Sequence, residues 1–345
     1  MSTDKVLITG GSGYFGALLR DRLKERGRAV RIFDVSDADD RVGDVEFIQG
    51  DIRDEARVRE ACAGCAEIHH CVAQVPLAKD RHLFESVNIQ GTENLLKSAL
   101  AAGARKVIYV SSSAVFGAPK SNPVTEQTTP SPAEAYGRAK LEGETLCAKY
   151  AKQGLDISVI RPRTIMGHGR LGIFQMLFEW IRTGYNVPVF GRGDNVYQFV
   201  HADDLAEACI LAAERSGGAT YNCGTDRFNT MREVLEHLCA HAKTGSKVRS
   251  VPMAPAVGMM NLTSALGLSP LGPYHALMYG RSMYFDIAKA KKELGWQPKF
   301  SNNEMFVHSY EWYLQNREKI LASHGASHHR SAVKQGVLGI VKRFL

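Results

Sequence analysis

The stretch "KVLITGGSGYFG" (5–16) constrains this chain more than any other. Val6, Leu7 and Ile8 form a continuous apolar run, the pattern of a strand buried on both faces. Gly10, Gly13 and Gly16 follow at intervals of three, and Phe15, Leu18, Leu19 and Leu23 then recur with helical spacing up to Gly27. Permissive residues where a strand hands over to a helix let a bulky anion approach the backbone, and the helix N-terminus favours its charge. "AVRIFD" (29–34) predicts a second strand, ending in Asp34. Strand, glycine turn, helix, strand and distal acid together are the pattern of a dinucleotide site. Asp34 would accept hydrogen bonds from the adenine ribose and repel a 2′-phosphate, which selects NAD(H) over NADP(H).

The alternation continues. "VEFIQGDI" (45–52), "EIHHCVA" (67–73), "KVIYVSSS" (106–113) and "DISVIRP" (156–162) predict strands, with helices near 54–62, 88–102 and 134–153. The expected fold class is α/β, a doubly wound parallel (Rossmann) sheet with ligands at the C-terminal strand ends. Asp51, just past the third strand, would meet the adenine amino group or cap the next helix.

"AYGRAKLEGE" (135–144) places Tyr136 and Lys140 four apart, on one helical face. A phenol is a poor base at neutral pH unless a nearby cation stabilises its phenolate, and Lys140 supplies one. Tyr136 could then move a proton on a substrate oxygen while hydride moves at carbon. "VSSSAVFG" (110–117) brings serines to the end of the preceding strand, where Ser112 or Ser113 could hold that oxygen.

With these pieces in place the chain resembles an extended short-chain dehydrogenase/reductase, the group of NAD-dependent epimerase/dehydratases and 3β-hydroxysteroid-dehydrogenase-like enzymes. The resemblance is carried by "TGGSGYFG", "GDIRD" (50–54), "HHCVAQV" (69–75), "VNIQGTENLL" (87–96), "VSSSAVFG" and "YGRAK". Further on, "IRPRTIMG" (160–167), "QFVHADDLAEA" (198–208), "YNCGT" (221–225) and "FDIAKAKKELGWQPK" (285–299) also fit. It implies Ser112, Tyr136 and Lys140 as the catalytic set, with Ser113 the second choice for the serine. It implies an NAD site lined by Gly10, Gly13, Tyr14, Phe15, Gly16, Asp34, Asp51, Ile52, Ala73, Asn88, Pro162 and the Tyr136–Lys140 face. Gln74, Ser113, Arg163 and Tyr197 are expected on the substrate side. Residues 1–165, joined by 196–225, are expected to hold the cofactor, 166–325 to form a smaller C-terminal substrate lobe, and 326–345 a basic tail. Members often pair through helices like 88–102 and 134–153, so a homodimer is expected.

Two observations bear on the substrate. Sugar-nucleotide members usually carry an Arg-Asp pair just before the "FVH" segment, and here those positions are Tyr197 and Gln198, with Arg192 nearby. From Ser250 to Gly280 there is no Asp, Glu, Lys or Arg, and "AVGMMNLTSALGLS" (256–269) is too short to span a bilayer but suits a lid over an apolar ligand, a segment that dips into a membrane, or ordinary packing of the lobe. The activity expected is interconversion of a secondary alcohol and a ketone on a hydrophobic or lipid-like substrate. The alternative is a nucleotide-sugar 4-epimerase or dehydratase that keeps its NAD.

The net charge of +7 belongs largely to the tail, where Arg330, Lys334, Lys342 and Arg343 face no acid after Leu321, so nucleic acid is not an expected partner. In 331–345, Val333, Val337, Ile340, Val341 and Phe344 share a helical face opposite Gln335, Lys342 and Arg343, which fits peripheral contact with anionic lipid or a second subunit. No apolar leader precedes the glycine turn, and seven irregularly spaced cysteines fit reduced thiols, so a cytoplasmic protein is expected, at the inner face of a membrane if the tail binds lipid. "CAGCAEIHHC" (62–71) invites a zinc reading, but strand alternation would splay its side chains, and no metal is expected. His70 is expected in the core.

Overall fold

The computed structural model describes residues 5–74, 81–169, 173–265 and 280–322, apart from 39 and 42. Its centre is a seven-stranded, all-parallel sheet. Chain order begins β1 (Lys5–Thr9), α1 (Tyr14–Glu25), β2 (Val30–Asp34), β3 (Glu46–Gln49), α2 (Glu55–Cys62) and β4 (Cys65–His70). α3 (Arg81–Glu85) and a π-helical turn (Ser86–Gln90) lead into α4 (Gly91–Ala101), followed by β5 (Lys106–Val110), a 3-10 turn (Ser113–Phe116), α5 (Ala135–Ala151) and β6 (Ile157–Pro162). The strands run β3-β2-β1-β4-β5-β6, and a seventh from much later in the chain completes the far edge beside β6. The order reverses between β1 and β4, which opens a crevice at their carboxyl ends.

That seventh strand, β10 (Thr220–Cys223), returns after β7 (Thr164–Met166), α6 (Ile173–Arg182), β8 (Val187–Phe190), β9 (Phe199–His201) and α7 (Ala202–Glu214). Beyond it come α8 (Met231–Ala242), β11 (Val248–Val251), α9 (Met253–Ala265), α10 (Ala288–Leu294) and α11 (Asn302–Ala322). Each face of the main sheet buries its own apolar cluster, one under α1 and α7 and the other under α2, α4 and α5. A third cluster is more aromatic. Phe174, Phe178 and Trp180 of α6 pack there with Phe199, Phe306, Tyr310 and Tyr313, beside the two-stranded pairing of β8 with β11. The aromatic run of α6 is therefore core.

The strands are shorter than the apolar runs suggested. β4 ends at His70 and β5 at Val110; Cys71 N and Ser111 N make the last backbone bonds to the neighbouring strands, and residues 72–74, Ser112 and Ser113 follow past the strand ends, at the crevice. The 250–280 stretch begins at the end of β11 and continues as helix α9, while 266–279 and the tail 331–345 lie outside the described residues. Among the described residues no helix is long and apolar enough to cross a membrane.

Candidate active site

The glycine turn closes on itself. Gly10 adopts φ +74°, and a Cβ there would meet Val72 N at 2.9 Å; a Cβ on Gly16 would overlap the Gly10 carbonyl oxygen. Only bare backbone lets β1, α1 and the end of β4 approach this closely. Gly13 is the N-cap of α1 without a side-chain cap bond, and the first turn holds no acidic residue. An uncapped helix start in a glycine cradle suits a pyrophosphate. Tyr14 is buried and Phe15 packs against the core behind the cradle.

Asp34 stands at the tip of β2, its Oδ2 accepting from Ser12 N (3.1 Å) and its Oδ1 from Val35 N (2.8 Å). Burial raises this carboxyl, and those backbone bonds pull it back down. The residues present thus fit a dinucleotide. Asp51 lies just past β3, but its carboxylate is gripped by Arg53 (Nε to Oδ1, 2.9 Å), and α2 is capped by Asp54. Ile52 is buried.

Past β4 the chain is tethered by side chains. Thr9 Oγ1 lies 2.7 Å from His70 Nδ1, and His70 Nε2 lies 3.0 Å from Thr92 Oγ1, which donates to Asn88 O (2.8 Å). Burial lowers the His70 ring to about 3, so it is neutral and bonds both hydroxyls. Asn88, itself buried, accepts from Gln74 N (2.7 Å) and donates to Gln74 O (3.0 Å), fixing Ala73 and Gln74 above the crevice. Two members of the sequence that invited a zinc reading thus have protein partners: His70 in this chain, and His69, whose Nε2 bonds Glu67 (2.7 Å).

Glu134 starts α5 by accepting from Tyr136 N and Gly137 N, both 2.7 Å, which places Tyr136 in its first turn. A Cβ on Gly137 would overlap the Ala114 carbonyl oxygen, so that turn sits backbone to backbone on the 3-10 turn. Ser112 caps the latter, its Oγ accepting from Ala114 N at 3.1 Å, while Ser113 is buried. One turn further along α5, Lys140 Nζ donates to Val110 O (2.8 Å), over the ring of Tyr109. Burial lowers this ammonium to about 8. Beneath the serines, Glu144 holds Ser111 Oγ (2.5 Å) and Arg161 Nε (2.9 Å) in a buried group that the motifs did not reveal. The structure therefore brings Ser112, Tyr136 and Lys140 to adjoining backbone segments, and Pro162 ends the neighbouring strand β6.

The residues expected on the substrate side are arranged differently. Arg163 is buried, its Nη1 donates to Ser113 Oγ (2.9 Å), and its guanidinium lies over the rings of Tyr197 (4.6 Å) and Phe285 (5.6 Å). Tyr197 OH pairs with Thr164 Oγ1 at 2.9 Å. Gln198 points into the protein, donating to Thr225 O (2.7 Å) and accepting from Phe285 N (2.9 Å). The Arg192 side chain is 89% exposed and paired with Asp194.

His201, in "FVH", caps α7 by accepting from Asp203 N at 3.2 Å, and Asp203 and Asp204 fill that helix's first turn. Beside it stand His168 and His308, a cluster that sequence reading missed because its members lie on three remote segments. Burial lowers His201 to about 4 and also lowers His168.

A doubly wound sheet with a glycine cradle and an acid at its second strand tip defines a dinucleotide-binding enzyme fold. The chain belongs to the NAD dependent epimerase/dehydratase family, whose model it matches over residues 6–224, and NAD is accordingly its cofactor. It is 53% identical to the uncharacterized protein y4nG of Sinorhizobium fredii, over 97% of this chain and 85% of that one. It is 27% identical to the UDP-glucose 4-epimerase of Mycolicibacterium smegmatis (90% and 98% covered). Identity is also 27% to the mouse sterol-4-alpha-carboxylate 3-dehydrogenase, decarboxylating (87% and 88%). Among solved structures, the UDP-glucose 4-epimerase of Thermotoga maritima with UDP-glucose superposes with a TM-score of 0.76 at 25% identity, covering 91% of this chain and 99% of that one. The expected family, fold, cofactor and enzyme class are all borne out.

Proposed function

We propose that this enzyme interconverts a secondary alcohol and a ketone on a hydrophobic, lipid-like substrate, with Ser112, Tyr136 and Lys140 as its catalytic set. The observation that carries the reading is the seating of the first turn of α5 on the serine turn, with Lys140 buried beneath. The glycine cradle, Asp34 and the Asn88-tethered segment would hold NAD, which when bound would supply the hydride acceptor or donor. In the oxidative direction Tyr136, as phenolate, takes the hydroxyl proton while the carbon gives up its hydrogen with the bonding pair. Lys140 favours that phenolate by its charge, and Ser112 hydrogen-bonds the substrate oxygen. In reduction the same proton returns from Tyr136.

Support for an apolar substrate comes from the substrate side. Tyr197 and Gln198 offer no cation to a diphosphate, and Arg192 is committed to solvent and Asp194. Residues 1–165 with 196–225 would hold the cofactor and 166–325 the substrate, with α9 part of its cover. The 331–345 tail would rest on anionic lipid at the inner face of a membrane, and two copies would pair through α4 and α5. Deleting 331–345 should abolish low-salt co-sedimentation with anionic vesicles and spare NAD binding; no co-sedimentation of the full chain would sink the membrane reading.

A second reading, nucleotide-sugar 4-epimerase, is favoured by the UDP-glucose 4-epimerases among the similar proteins. An epimerase returns hydride to its own substrate and can retain NAD, whereas a reductase must exchange it every cycle. Desalting the purified protein and assaying its NAD content separates the two. Loss of NAD supports the reductase, and stoichiometric retention with no use of added cofactor supports the epimerase.

A further inference from the structure

Three histidines converge outside the dinucleotide site. His168 follows the Gly167 turn beyond β7, His201 precedes α7 and His308 lies on α11, with one ring nitrogen of each within 4.8 Å of the others. His201 is fully buried, and among the described residues its Nε2 has no hydrogen-bond partner; Nδ1 of His308 is likewise enclosed and unpartnered. Enclosed polar atoms are ordinarily bonded, so two such nitrogens in one cluster call for an explanation. The rings are also held in place. His168 stacks on His308 at 5.9 Å and meets His201 edge-on at 5.7 Å, while Phe300 covers the other ring of the group, His201, at 3.9 Å.

We propose that His168, His201 and His308 bind a divalent cation of borderline softness, Zn²⁺ or its analogues Co²⁺ and Ni²⁺. A set of three imidazoles with no carboxylate suits these ions and not Mg²⁺ or Ca²⁺, which take oxygen ligands. Zn–N bonds of about 2.0–2.1 Å set tetrahedral nitrogens roughly 3.4 Å apart, a spacing that modest ring rotations reach from here. Capture at His201 Nε2 keeps the ring proton on Nδ1, which gives up the bond from Asp203 N. Asp203 Oδ2 lies 3.6 Å from that nitrogen, and Arg22 Nη2 holds the other carboxylate oxygen at 3.0 Å. A carboxylate behind a metal-bound imidazole is the usual outer partner. His168 is the exposed member of the set, and water would complete the four-coordinate shell.

The ion would fasten α11 to the start of α7 and to the turn after β7. Gly169 in that turn is flanked by Tyr14, the first residue of α1, and by Trp312 of α11, each 3.7 Å from a Cβ built there. The role assigned is a staple behind the glycine cradle.

The test titrates Zn²⁺ into tag-free full-length protein. His324, His328 and His329 could bind metal themselves, so the reference protein carries all three as alanine. The reference should take up one equivalent of Zn²⁺ with a Kd of about 1 μM or tighter. Its Co²⁺ form should show the intense visible absorption of a tetrahedral site. Unfolding should shift upward by about 5 °C at a hundredfold excess over Kd. His168→Ala, at an exposed position, and His308→Ala should each weaken uptake at least roughly fiftyfold, with His168→Ala leaving metal-free stability unchanged. Failure of the reference to bind a stoichiometric ion, or equal binding by both variants, overturns the proposal.

Discussion

The two sides of the crevice are built differently. The proposed cofactor side is made of backbone: a positive-φ glycine, an uncapped helix start, and Asp34 bonded to main-chain N–H groups. The proposed substrate side is made of side chains from segments far apart, with Arg163, just past β6, meeting Ser113, Tyr197 and Phe285. Backbone geometry leaves a signature in a short stretch of sequence. Side-chain packing between remote segments leaves almost none.

The largest expected effect breaks the backbone side. Gly16→Ala places a methyl group into the Gly10 carbonyl, and NAD affinity should fall at least about a hundredfold, measured by calorimetry. Binding within a few fold of the parent would mean that the cradle is not the site. Gln198→Ala probes the other side. It strands Thr225 O and Phe285 N in a buried position, which should destabilise by ~1–3 kcal/mol in denaturant unfolding and leave NAD affinity unchanged. A change in NAD affinity without loss of stability would contradict an internal role for Gln198. Asp34→Ala should have the smallest effect, narrowing the preference for NAD(H) over NADP(H) by about tenfold. Equal use of both cofactors by the parent enzyme would remove Asp34 as the selector.

That contrast also explains what the sequence made legible. The glycine spacing, the acid ending "AVRIFD" and the Tyr136–Lys140 interval are local, and each places its residues once strand and helix are assigned. Asn88 is placed at the cofactor site by resemblance alone, and its two bonds to Gln74 emerge only with the return of the chain over β4. Asp51 illustrates the limit: its position past β3 was foreseeable, its pairing with Arg53 was not. The histidine cluster was invisible because only the fold brings 168, 201 and 308 together. The inward turn of Gln198 likewise depends on Thr225 and Phe285, neither near it in sequence.

The central claim is that Tyr136 moves the proton while added NAD(H) carries the hydride. The direct measurement is NADH consumption with a panel of apolar ketones, by the parent enzyme and by Tyr136→Phe at saturating NADH. The account predicts net oxidation of NADH by the parent and a rate about a hundredfold or more lower in the variant, with NADH affinity within a few fold. Variant activity above roughly a tenth of the parent's, or a parent that never turns over added NADH with any ketone, would contradict it.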